Sequence, residues 1–268
     1  MHRATADAEI YFLANTSNIR QSVKATFRVD SLQAEEWDPF SGRISTASVE
    51  AAPGQGRTLA LDFEPYQSRV LVFTKRTLSP HASRSLATIP SPIDLSSGWQ
   101  VVFGPNSKVV LMDHLRSWTE DEETRYFSGA ATYEKDVIVP ESMLENGLAV
   151  RLDFGAGQPI PERPARAGMR AWLDAPVRDA AVVYINDQRA GSVWCPPYSL
   201  DVTALLRRGK NTIRIVVANL AINQMAGRAL PDYRLLNLRY GVRFEAQDMD
   251  KVQPVPAGLL GPIRLIQE

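Results

Sequence analysis

The side chains best suited to moving protons in this chain of 268 residues are carboxylates, and their densest group is Asp113, Glu120, Asp121, Glu122 and Glu123. Two carboxyls can cleave a glycoside when they face each other. The separation is about 5–5.5 Å for retention of configuration and about 6.5–9.5 Å for inversion. A contiguous run does not supply such a pair by itself, because neighbours on an extended chain point to opposite faces. Glu120 to Glu123 therefore reads as a solvated loop. Calcium also prefers oxygen ligands, but the spacing of a calcium-binding loop is absent. No cofactor is expected, with a structural calcium the one option left open. Ser-His-Asp chemistry is also poorly supplied: there are three histidines and no Gly-x-Ser-x-Gly elbow. His81 lies in a Ser/Pro-rich stretch, and His114 reads as structural. Gly155-Ala156-Gly157 lacks the following helix that a nucleotide-binding loop needs. Cys195 is the single cysteine, so an intrachain disulfide and a cysteine-cluster metal site are both excluded. Catalytic residues are expected to be absent.

Binding is better supplied. An aromatic ring offers apolar contact to the C–H face of a sugar, and flanking polar groups take its hydroxyls. Trp118, Trp194 and Tyr198 are the carbohydrate-contact candidates, while Trp99 and Trp172 read as core. The competing reading is that all five tryptophans pack the interior. Asn186 and Asp201 read as turn-makers.

The elements that must position these rings are strands. Val182 to Ile185 is β-rich, and Asn186-Asp187 is a hairpin turn signal. Gly191 and Val193 begin a return strand carrying Trp194. Pro196 and Pro197 end it, since proline has no N–H for a ladder. Thr203 is expected to cap one short helical turn over Ala204 to Arg207. Thr212 to Ala218 alternates, with Ile213, Ile215 and Val217 on one face. Upstream, Arg125 to Tyr133 reads as a strand with a Ser128-Gly129 break, and Leu148 to Phe154 as another. Gly155 to Pro176 is an irregular loop with arginines at 163, 166 and 170 and a fourth, Arg178, just beyond it. Gly258 to Ile266 is expected to close the sheet.

The first 78 residues alternate in the same way, over Ile10–Ala14, Ser22–Val29, Thr58–Phe63 and Val70–Phe73, without a long amphipathic helix. Residues 79–94 have the Ser/Pro composition of a linker. The expected architecture is all-β, with two tandem antiparallel sandwiches over residues 1–78 and 95–268. Hydrophobic residues make up 44% of the chain, enough for real cores, and formal net charge is zero with no basic block. That balance disfavours nucleic-acid binding. No apolar run approaches the roughly 18 residues of a membrane span.

Two stretches resemble known families. Asn186-Asp187, Gly191, Trp194, Pro196, Pro197, Tyr198, Asp201, Val202, Thr203, Leu206, Gly209 and Asn211 follow the wording of the sugar-binding jelly roll of family-2-type glycoside hydrolases, a galactose-binding-like fold. His2, Arg3, Ile10, Tyr11, Phe12, Asn15, Trp37, Asp38, Pro39, Gly42, Leu61, Tyr66, Ser68, Val72 and Phe73 resemble the β-domain that follows the catalytic barrel in α-L-rhamnosidases of glycoside hydrolase family 106. Trp118, Thr119 and Arg125 to Tyr133 match a further phrase of that family, and Gly258 onward its terminal one. Gln224 and Arg228 stand where that family commonly has Arg and Asp. The resemblance implies a carboxy-terminal accessory region whose partners are a catalytic barrel and carbohydrate, with no activity of its own. It also implies an exported parent enzyme, although the first residues lack a signal-peptide core. The alternative is a stand-alone carbohydrate-binding or structural protein.

Overall fold

A computed structural model describes residues 1–29, 33–39, 42, 44–51, 56–74, 91–105, 109–145, 147–161, 172–243 and 251–267. His81, most of the expected linker, and Arg163, Arg166 and Arg170 lie outside them. The architecture is all-β, as tandem antiparallel sandwiches. Two units form: one gathers Met1–Thr88, Gly157–Asp174 and Cys195–Pro197, and the other Ile89–Ala156, Ala175–Trp194 and Tyr198–Glu268.

The first unit is built from β1 (His2–Ala4), β2 (Ala8–Ala14), β3 (Gln21–Phe27), β4 (Gln33–Trp37), β5 (Ile44–Ala47), β6 (Glu50–Ala51), β7 (Arg57–Phe63) and β8 (Ser68–Thr74). One sheet runs β1-β2-β8-β4-β5 and the other β3-β7-β6. Strand periodicity decides what lies between them. Leu59, Leu61 and Phe63 alternate inward from β7, and Leu71 and Phe73 from β8. Phe27 and Ala34 join that cluster, and Tyr11 and Leu13 pack against it. Phe27 meets Tyr11 edge-on at 4.9 Å between ring centroids.

In the second unit β9 (Ile93–Asp94), β10 (Trp99–Phe103), β11 (Val109–Met112), β12 (Ala130–Val139) and β13 (Val150–Asp153) come first. The next two strands, β14 (Gln158–Pro159) and β15 (Leu173–Asp174), pair as a ribbon that belongs to the first unit. There the Asn18 amide donates to the carbonyls of Ile160 at 2.9 Å and Trp172 at 3.0 Å. The Trp172 N–H donates to the Tyr66 hydroxyl at 2.9 Å. What the sequence shows as an irregular loop is thus fastened at both ends. The chain then resumes with β16 (Val177–Arg178), β17 (Ala180–Ile185), β18 (Gln188–Val193), β19 (Ser199–Asp201), β20 (Gly209–Ala218), β21 (Gly258–Leu259) and β22 (Arg264–Gln267). The sheets run β11-β10-β12-β20-β17-β18 and β19-β13-β22-β9. Two short helices, α1 (Ile222–Ala226) and α2 (Arg234–Tyr240), follow β20.

Three local expectations shift. The strand expected over Arg125 to Tyr133 begins only at Ala130, and Gly129 turns into it at φ +150°. The closing segment is two strands, because Gly261-Pro262 interrupts it. The short turn at Thr203 is not capped by Thr203: Asp201 accepts from both the Thr203 N–H and its hydroxyl. The Thr203 hydroxyl oxygen in turn accepts from the Val150 N–H.

Candidate functional site

The hairpin of β17 and β18 carries the strongest turn signal, and its geometry follows from residue type. Asn186 and Asp187 both hold positive φ, 50° and 65°, as a tight two-residue hairpin turn requires. The Asn186 amide reaches Leu205 O at 3.0 Å and Asn211 Oδ1 at 2.8 Å. Asn211 is fully buried. Its Oδ1 also accepts from Arg207 N, and its Nδ2 donates to the carbonyls of Arg207 and Gly209. Asn186 and Asp201 are turn-makers, as their types suggest. At Gly191 a Cβ would sit 2.9 Å from Leu200, so this glycine permits close packing of the hairpin.

The three carbohydrate-contact candidates are not brought together as a site. Trp118 is fully buried and Tyr198 is 6% exposed, whereas Trp194 is 57% exposed. Trp118 requires correction. Its indole N–H donates to the Tyr133 hydroxyl at 2.5 Å, and Phe103 and Phe127 meet its ring edge-on. A ring enclosed in this way has no face for a ligand. Tyr198 is likewise a core residue. Trp99 is core, as expected, whereas Trp172, just before β15, is only half-buried. Burial pushes the Tyr133 hydroxyl up to about 12, partly offset by the Trp118 hydrogen bond.

The carboxylates resolve into separate tasks. Glu120 accepts from Ser117 N while Ser117 Oγ accepts from Thr119 N, closing a capping box around the turn Trp118–Glu120. The Ser117-x-x-Glu120 spacing that signals this box ends on the first residue of the acidic run, which masks it. Asp121 takes two bonds from Arg116, at 2.9 and 3.1 Å. Asp113, Glu122, Glu123 and His114 are exposed. His2, in β1, stacks on Tyr11 at 4.3 Å and bonds Glu9 at 2.5 Å. Cys195 is half-buried and its thiol is pushed up by burial, which opposes a thiolate nucleophile. Among the described residues no three His, Cys, Asp or Glu side chains cluster as a metal site. No described helix is long and apolar enough to cross a membrane.

Comparison with known proteins fits this picture. Residues 1–51 match the family profile of α-L-rhamnosidases, glycoside hydrolase family 106. The whole chain superposes on the rhamnosidase of Novosphingobium sp. PP1Y with a TM-score of 0.76 and 27% identity, covering 23% of that chain. A protein of Formosa agariphila, provisionally named a β-glucuronidase, is 28% identical over 207 residues, which is 68% of this chain and 16% of that protein. The chain thus spans less than a quarter of either relative. These likenesses support a glycoside hydrolase-associated β-region that is similar to part of a rhamnosidase.

Proposed function

We propose that this chain is a non-catalytic accessory region of an α-L-rhamnosidase-like glycoside hydrolase. Its second unit is read as a galactose-binding-like jelly roll, and its partners are a catalytic barrel and carbohydrate. The observation that carries the reading is the disposition of the acids. In the group richest in carboxylates, Glu120 is committed to a cap and Asp121 to Arg116, and the others are exposed. None forms the enclosed facing pair that glycoside cleavage requires. Trp194 is the one ring of the three candidates with an exposed face, and it is the glycan contact proposed for this unit.

The test is hydrolysis of 4-nitrophenyl α-L-rhamnoside by the purified chain. No release above buffer is expected. Turnover by the wild-type chain that Glu120→Gln abolishes, with folding intact, would overturn the accessory reading.

A further inference from the structure

The segment between β20 and β21 has a charge of its own. From Leu220 to Arg243 it holds four arginines, at 228, 234, 239 and 243, against one acid, Asp232, so it bears a net +3 in a chain whose total is zero. α2 buries none of its residues. Successive helical residues turn by about 100°, so Arg234, Leu238, Leu235 and Arg239 fall in that order across one side. Leu235 and Leu238 are 82% and 83% exposed, whereas Leu236 and Tyr240, on the other side, are 42% and 48% exposed. Asn237, also on that other side, is half-buried. The leucine ridge, with an arginine on each flank, thus points away from the protein. Gly241 turns the chain at φ +81°, and Arg243 N then donates to Asn237 Oδ1 at 3.2 Å. That bond holds Val242, 84% exposed, beside the end of the helix. Among the described residues Asp232 pairs with Arg234, at 2.6 Å. Arg239 lies over the Tyr240 ring at 5.3 Å, a contact that leaves its charge in place.

We propose that α2 and the turn after it rest on an anionic lipid bilayer, with Leu235, Leu238 and Val242 at the acyl boundary and Arg239 and Arg243 on lipid phosphates. The proposal goes beyond the accessory reading and does not depend on it. α2 has seven residues, too few to span, so it lies in the plane of the interface. Apolar side chains and cations on one side are the two signals that surface attachment needs. An arginine stem reaches from the acyl boundary to the headgroups, so a bilayer satisfies leucine and arginine together. A second copy of the chain satisfies the leucines alone, since ridge-to-ridge contact sets arginine against arginine. It is the contact left when lipid is absent. Glu245, Asp248 and Asp250 come next along the chain, outside the described residues, and the charge arm of the test decides whether the cations prevail over them.

Cosedimentation of the full chain with vesicles tests the proposal. Vesicles of equal parts phosphatidylglycerol and phosphatidylcholine at low salt should retain at least ten times more protein than phosphatidylcholine alone. Leu235→Ser with Leu238→Ser, which changes no charge, should weaken binding at least tenfold. Arg239→Gln with Arg243→Gln should also cost at least tenfold, since each arginine near such a surface is worth about fivefold. What binding remains should respond less to added salt. Leu111→Ser on β11, at a site 62% exposed, should change binding less than twofold. Thermal melts by circular dichroism check that each variant folds, and Leu235→Ser alone is the second probe should the double variant fail. No retention by anionic vesicles, equal retention by neutral ones, or retention unchanged in the folded leucine or arginine variants would overturn the proposal. So would self-association that anionic vesicles do not relieve, which would assign the ridge to a second copy. Release by inorganic phosphate, but not by sodium chloride of matched ionic strength, would assign the arginines to a free anion and overturn it too.

Discussion

Tyr133 shows how one buried hydroxyl couples the core to pH. Its pKa is raised to about 12 by burial, against about 10 for an exposed tyrosine. The folded state therefore holds its proton more tightly than the unfolded state does. The stability this contributes is complete below pH 10 and is lost as pH rises through 12. Alkaline titration followed by circular dichroism should show stability falling across that window. Tyr133→Phe should flatten the fall, but at neutral pH it should cost about 1–3 kcal/mol, because the Trp118 N–H loses its buried acceptor. Ser117→Ala should cost about 1–2 kcal/mol in urea unfolding, since the cap is lost and Ala257 N also donates to that hydroxyl. Residue types alone could not separate Trp118 from Trp194. Each is a tryptophan beside a turn, and only the long-range contact with Tyr133 decides which ring is enclosed. The capping box is legible as Ser117-x-x-Glu120, but its glutamate is also the first of four consecutive acids, so residue types alone do not separate a cap from a solvated charge run.

At the scale of elements, the alternating strands were the readable part. β17 and β20 pair along Ala180–Ile185, and both alternate buried and half-buried positions as their β-branched pattern requires. Boundaries set by glycine and proline were less legible. The start of β12 depends on how closely the Gly129 backbone approaches the Phe127 ring, which lies 3.2 Å from where a Cβ would be, and residue types do not reveal that approach. The ribbon of β14 and β15 was hidden because its partners, Asn18 and Tyr66, are more than 100 residues away in sequence. Tyr66→Phe removes the acceptor of the Trp172 amide. Hydrogen exchange at that amide should quicken at least tenfold, with little change in β17–β20. Asn211→Ala should be more costly, about 2–3 kcal/mol in chemical unfolding, because it strands part-buried groups of Arg207, Gly209 and Asn186 together.

On the scale of the whole molecule, one surface feature bears on solution behaviour. Leu235 and Leu238 of α2 and Val242 beyond it are each more than 80% exposed. The i, i+3 spacing of the two leucines puts them on one side of α2. An apolar stripe of this kind favours association. Sedimentation velocity should show concentration-dependent self-association that Leu235→Glu with Leu238→Glu reduces. Because neither side chain is buried, the unfolding free energy should change by less than about 0.5 kcal/mol. The interleaving of the two units has a consequence for synthesis on the ribosome. The first unit takes its ribbon from residues 157–174 and a further contribution from Cys195–Pro197. Its early strands emerge long before those pieces are made, so the amino-terminal sandwich must wait, incomplete, while about half of its neighbour is translated. A gene cut after residue 88 would leave that wait without an end.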